Sequence, residues 1–115
     1  MSQETPLFSK AFDLLAYLLS AVEKFPRSYR LGLGRRIQEI GLGFVDLLLA
    51  ARKCRAVKRP ALLRDADVEL DKLRFTVRLC QELGLLTPRQ YQYAAGLLAE
   101  TGKMLGSWVK RYNEP

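Results

Sequence analysis

The sequence predicts an all-α fold, an antiparallel up-down-up-down four-helix bundle, and three observations carry that expectation. Apolar residues recur at helical spacing over four stretches of the 115-residue chain. A proline or glycine breaker and only a few residues separate each stretch from the next. No segment alternates strictly with β-branched residues, and no Asn-Gly or Asp-Gly hairpin turn occurs. Helices joined by short connections pack most simply against their sequence neighbours, which gives the up-down-up-down order of a single domain over residues 1–115.

Thr5 and Pro6 offer an N-cap and a first-turn proline, followed by Leu7, Phe8, Ala11, Leu14, Leu15, Leu18 and Val22 at helical spacing, so the first helix is expected over about 6–24. Phe25-Pro26-Arg27-Ser28 breaks it, because proline disfavours helical backbone in the preceding residue, and Ser28 can cap the next helix. The second helix is expected over about 29–56, with Leu33, Ile37, Ile40, Phe44, Leu47 and Leu48 inward. Pro60 suits the first turn of a third helix over about 60–83, whose inward residues are Leu63, Ala66, Leu70, Leu73, Val77 and Cys80 and whose left-handed cap is Gly84. Thr87 and Gln90 form a capping box around Pro88, which opens a fourth helix over about 88–112 with Tyr91, Ala94, Ala95, Leu98, Met104, Leu105 and Trp108 as its core stripe.

Composition removes whole classes of function. Hydrophobic residues make up 49% and charged residues 27%, which are globular proportions. The longest stretch without a charge, Gln90 to Ala99, is about half of what a bilayer-crossing helix requires, so no membrane span is expected. Met1-Ser2-Gln3-Glu4 lacks the basic start and apolar core of a secretory signal, and a cytoplasmic protein is the expectation. The chain has no histidine, which excludes Ser-His-Asp and Cys-His nucleophilic systems and imidazole-ligated metal sites. Cys54 and Cys80 make neither a Cys-x-x-Cys motif nor a four-sulfur site and are expected to be buried free thiols.

The remaining candidates for chemistry also fail. Asp65, Asp67, Glu69 and Asp71 crowd the start of the third helix, but their spacing splits them between faces, so a solvated face that complements the helix dipole is the expected role. Gly32-Leu33-Gly34 follows no strand, and Gly102-Lys103-Met104 lacks the spacing and hydroxyl of a phosphate loop. No enzyme, metal or cofactor is expected.

Charge points instead to binding. Net charge is +7, from 19 Lys+Arg against 12 Asp+Glu, and the excess is clustered. Lys24, Arg27, Arg30, Arg35 and Arg36 form one acid-free run, and Arg52, Lys53, Arg55, Lys58, Arg59 and Arg64 form another, both at junctions between helices. Such patches suit nucleic-acid phosphates or an acidic protein surface, with a basic face kept for solubility as the plainer alternative. Arg74 and Arg78 lie one turn apart on the third helix at the edge of its apolar stripe, where a planar guanidinium suits phosphate or carboxylate. Ordinary surface arginines, or a salt bridge from Arg74 back to Glu69 or Asp71, are the competing roles. Tyr91, Tyr93, Trp108 and Tyr112 could stack on bases, although the spacing of Tyr91 and Trp108 places them in the core.

The apolar surface exceeds what a monomeric bundle buries. Consecutive helical residues are about 100° apart, so Leu47, Leu48 and Leu49 cannot share one narrow stripe, and Leu14, Leu15, Leu18 and Leu19 repeat the pattern. Oligomerisation is the natural outlet. Gly41, Gly43, Gly102 and Gly106 lie inside predicted helices, where each costs up to ~1 kcal/mol against alanine; close approach between helices, within one bundle or between subunits, would offset that cost.

Four segments carry a family resemblance: Phe25-Pro26-Arg27-Ser28-Tyr29, Leu73-Arg74-Phe75 with Arg78, Leu86-Thr87-Pro88, and Gly102-Lys103-Met104-Leu105-Gly106-Ser107-Trp108. Over nearly its whole length the sequence resembles Avd, the accessory variability determinant of diversity-generating retroelements, within a wider group of small bacterial four-helix bundle proteins. Tyr29 stands where many relatives would be expected to have histidine. The resemblance implies a pentameric barrel, a homo-oligomer whose basic surface binds the retroelement's reverse transcriptase and template RNA or DNA. It implies a non-catalytic role in mutagenic retrohoming, in which an error-prone copy of a template repeat replaces a variable region. By the same resemblance Arg74 and Arg78 are the partner-contact residues, supported by Arg35, Arg36, Arg52, Lys53, Arg55, Lys58 and Arg59. The alternative is a self-assembling bundle of the ribosomal-RNA intervening-sequence type with no retroelement role.

Overall fold

The computed structural model describes residues 4–113, which are helical apart from short connections. Helix α1 spans Glu4–Val22, a single turn α2 spans Arg27–Tyr29, α3 spans Arg35–Lys53, α4 spans Arg59–Glu82 and α5 spans Pro88–Asn113. The four long helices run antiparallel to their neighbours, as cross-helix pairs show. Lys10 meets Glu100 and Tyr17 meets Tyr93 between α1 and α5, while Arg52 lies on Phe8 and Leu15 approaches Gly41 between α1 and α3. The result is a rod of 47 × 23 × 20 Å with two distinct ends.

Its core is the set of stripes that period and propensity dictate. Leu7, Leu14, Leu18, Ile37, Phe44, Leu48, Leu63, Leu70, Leu73, Val77, Leu105 and Trp108 are all buried, and every inward residue expected of the third helix is among the buried set. Leu97 and Thr101 join them on α5; Thr101 is accommodated because its hydroxyl donates to the Leu97 carbonyl at 2.7 Å. Leu47 and Tyr91 are only partly buried.

The local signals near the third connection form as the residues prescribe. Gly84 takes φ +76°, while the Leu85 N–H reaches the Cys80 carbonyl at 2.9 Å and the Gly84 N–H reaches the Gln81 carbonyl at 3.0 Å, which closes α4 in a Schellman arrangement. The Thr87 N–H donates to Gln90 Oε1 at 2.9 Å and the Gln90 N–H donates to Thr87 Oγ1 at 3.1 Å, a reciprocal capping box.

The expected second helix differs at both ends. It begins at Arg27, so Ser28 lies within the helical turn and does not cap it, and no side chain caps that turn. Between the turn and α3 the chain widens into a π-helical segment, Arg30–Gly34. At its end a β-carbon on Gly34 would lie 2.7 Å from Cγ1 of Val22 and 3.7 Å from Phe25, so the bare backbone seats the junction against the end of α1. The helix also stops at Lys53 rather than 56, and a short 3-10 turn, Ala56–Lys58, leads into α4. The first helix likewise already includes Thr5, which therefore does not cap it.

Among the described residues one helix is long and apolar enough to cross a membrane by length and composition, the Thr5–Val22 stretch of α1, which counting uncharged residues alone did not reveal. Its inward face, Leu7, Ala11, Leu14 and Leu18, forms part of the bundle core, and its Lys10 pairs with Glu100 of α5 at 2.8 Å.

Candidate functional site

Antiparallel packing sorts the basic runs to opposite ends of the rod. The α1–α3 and α4–α5 connections share one end, which holds Lys24, Arg27, Arg30, Arg35 and Arg36, all exposed. The α3–α4 connection and the close of α5 share the other, which holds Arg52, Lys53, Arg55, Lys58 and Arg59 with Lys110 and Arg111. Screening acts over about 10 Å at moderate salt, so in a rod 47 Å long the two ends present separate positive fields.

Two members of the second run are committed to the fold. Arg59 donates through Nε to the Ala51 carbonyl at 2.7 Å and through Nη2 to the Cys54 carbonyl at 3.3 Å, and its guanidinium lies 5.1 Å from the Tyr112 ring centroid. Arg52 stacks over Phe8 at 4.3 Å, and Phe8 in turn meets Trp108 edge-on at 6.4 Å. Lys53, Arg55 and Lys58 stand exposed around them.

Arg74 and Arg78 leave the same helix toward different surroundings. Arg74 is half-buried: Nη1 donates to Asp71 Oδ1 at 2.6 Å, and Nη2 lies where a β-carbon on Gly102 of α5 would be. This is the local salt bridge considered for it, together with a seat on α5 that only glycine leaves open. Arg78 is exposed and lines a shallow pocket with Phe75, Leu79 and Glu82. Among the described residues the side chains of Arg78 and Arg36 make no ion pair or hydrogen bond.

The structure adds a residue that charge reasoning passed over. Phe75 is 75% exposed on α4, with Val68 and Leu79 exposed on the same face. Arg36 of α3 and Lys72 border the groove on one side of this ring, and Arg78 borders the pocket on the other. Spacing could have found it, since Val68, Phe75 and Leu79 repeat at i, i+7 and i+11 on the face opposite Leu63, Leu70 and Leu73.

The apolar excess is also located. A groove of about 520 Å³ runs between α1 and α3, walled by Phe8, Phe12, Leu15, Leu19, Leu42 and Val45. Phe12 is 74% exposed beside it. Of the three consecutive leucines, Leu48 is buried, Leu47 half-buried and Leu49 exposed. Of the helix glycines, Gly41 admits Leu15 at 3.4 Å and Gly102 admits Arg74, while Gly43 and Gly106 face open space.

Reactive groups are few. Both thiols are free; Cys80 is buried, and burial pushes its pKa up to about 11, so it is protonated at neutral pH. Cys54 is half-buried and its Sγ–H donates to the Ala51 carbonyl at 3.3 Å. The Lys10 ammonium is raised above its usual range by its hydrogen bond to Glu100 and that carboxylate's charge. No cluster of three or more metal-ligating side chains occurs among the described residues. Asp65, Asp67 and Asp71 are exposed, and the half-buried Glu69 pairs with Lys72 at 2.8 Å.

The described residues thus form a basic antiparallel bundle with charged ends, an exposed aromatic and open apolar faces. The chain belongs to the bAvd-like family, whose model matches residues 7–112 and so takes in nearly all of the four long helices. A search of curated proteins returned no match.

Proposed function

We propose that this protein is a non-catalytic accessory factor of a diversity-generating retroelement, which binds the reverse transcriptase and its template RNA and supports mutagenic retrohoming in the cytoplasm. The observation that carries the proposal is the family match across residues 7–112, because it spans both charged ends and the Arg74–Arg78 face together. The exposed cations at the rod's ends support it, since they supply the sequence-independent attraction a phosphate backbone requires. The groove of about 520 Å³ between α1 and α3 supports self-assembly, as an open apolar face on a small domain is stabilised by covering it. A ring of five chains of 13.1 kDa would have a mass of about 65 kDa.

The test is co-purification with the reverse transcriptase encoded beside this gene, together with a homing assay in a strain lacking the gene. The expected result is a salt-sensitive complex and loss of homing that the intact gene restores. A neighbourhood without a reverse transcriptase gene and a pair of near-identical repeats would overturn the proposal.

A further inference from the structure

The α4 face around Phe75 differs in kind from the α1–α3 groove. The groove is walled by apolar side chains alone, whereas Phe75 stands between two shallow depressions, one bordered by Arg36, Asp71 and Lys72 and the other by Arg78 and Glu82. Burying guanidinium groups that have no carboxylate partner against an apolar surface is costly, so this second face suits a charged ligand better than an apolar one. An exposed ring beside Arg36 and Arg78, whose guanidinium groups make no ion pair among the described residues, suits a polyanion with flat apolar faces of its own.

We infer that Phe75 is a stacking platform for an unpaired nucleobase, and that Arg36 and Arg78 hold the phosphates of the single strand that carries it. The inference rests on the proposed nucleic-acid role and adds a mode: single strands over duplex. Phe75 is 75% exposed on α4, where it can meet a base that is free to turn outward. In a duplex each base face is already covered by its neighbours, so the ring finds nothing to stack on. The aliphatic neighbours Val68 and Leu79 extend the platform, and Asp71 does not repel the backbone strongly because Arg74 neutralises it. Arg36 and Arg78, which have no ion-pair or hydrogen-bond partner among the described residues, lie on either side of the ring and can contact phosphates flanking the stacked base.

The test measures fluorescence anisotropy of a labelled oligoadenylate of about twelve nucleotides, and of a duplex of equal length, against the intact protein and its variants. Phe75→Ala is expected to weaken single-strand binding about tenfold or more while leaving duplex affinity, salt dependence and assembly mass unchanged. Phe75→Trp is expected to keep the affinity and to show quenched emission when the oligonucleotide binds. The chain's own tryptophan, Trp108, is 1% exposed and supplies a constant background. Arg78→Ala is expected to reduce the single-strand salt slope by about 0.7.

Equal losses on both ligands, no loss on either, or an emission of the Phe75→Trp variant indifferent to bound oligonucleotide would overturn the inference while leaving nucleic-acid binding in place. A Phe75→Ala protein whose mass drops would assign this face to a subunit interface and overturn it too. If the intact protein binds no nucleic acid at low salt, the nucleic-acid part of the proposed function falls, and the platform falls with it.

Discussion

The Nε–H of Arg59 donates to the carbonyl of Ala51 at 2.7 Å, so a residue that opens α4 closes the last turn of α3. Terminal helix carbonyls lack intrahelical partners, and this guanidinium serves two carbonyls while lying on Tyr112 at the close of α5. Arg59→Ala is therefore expected to lower stability by about 1–3 kcal/mol, as a charged donor to partly buried acceptors is lost. Arg59→Lys should recover little, because an ammonium cannot serve that spread of acceptors. Lys58→Ala should stay within about 0.5 kcal/mol. Urea denaturation of the three variants measures it, and a wild-type midpoint for Arg59→Ala would refute the clasp.

Gly102 leaves the space that the Arg74 guanidinium occupies, so Gly102→Ala tests the seat directly. The obstructed atom is the far end of a flexible side chain, and alanine gains up to about 1 kcal/mol over glycine in a helix. Thermal stability is expected to change by less than about 1 kcal/mol, while the Arg74 Nε–H resonance shifts as the group lifts off α5. An unmoved resonance would mean that Arg74 does not rest there in solution.

Local features were legible in the sequence, and features that depend on distant residues were not. Gly84 and the Thr87–Gln90 box are specified within a few positions, and the buried stripe of α4 follows from period alone. The close seat of Gly34 against Val22 at the end of the π-helical segment was hidden because Val22 belongs to another helix. The early stop at Lys53 was hidden because its cap comes from Arg59. Among the candidate site residues, sequence reasoning weighed charge and so selected Arg52 and Arg59, which the fold engages, and passed over Phe75, which it leaves exposed.

Burial that lifts the Cys80 thiol to about 11 also predicts how stability responds to alkali. The folded state holds this proton more tightly than the unfolded chain, whose thiol has an ordinary value of 9.0. Its contribution is therefore complete below pH 9 and is lost as pH rises toward about 11. Subtracting the stability profile of Cys80→Val from that of the intact protein isolates it, and a flat difference over that window would refute the assignment. At about pH 8 a thiol reagent is expected to reach Cys54 in the native protein and Cys80 only after unfolding.

Phe12 tests the proposed subunit contact at the α1–α3 groove. Because it is 74% exposed, Phe12→Asp opens no cavity, and the folded monomer should tolerate it. Light scattering is expected to show the assembly reduced toward the 13.1 kDa chain, with the helical circular dichroism signal kept. An unchanged assembly mass would place the subunit contact away from the α1–α3 groove.

Replacing Arg74 and Arg78 together by alanine is expected to spare the fold and to weaken reverse transcriptase binding and homing severely. Arg78 is exposed without an ion-pair partner among the described residues, so its loss should cost within about 0.5 kcal/mol. Arg74 loses a surface pair with Asp71, a contact of a kind worth about 0–1 kcal/mol, and Asp71 stays in water where its charge is solvated. The two deletions remove positive charge from two adjoining faces of α4, and repetition around the proposed ring would multiply the loss. Single variants separate the roles. Arg78→Ala should show most of the binding defect if the free guanidinium makes the contact, and Arg74→Ala should match it only if the partner draws Arg74 off Gly102. Circular dichroism and thermal melts check the fold, and co-purification and homing check the function. A double variant that unfolds or dissociates would assign these arginines to the fold or the subunit contact. One that assembles, binds and supports homing normally would move the partner surface to the exposed cations around Arg35 and Arg55.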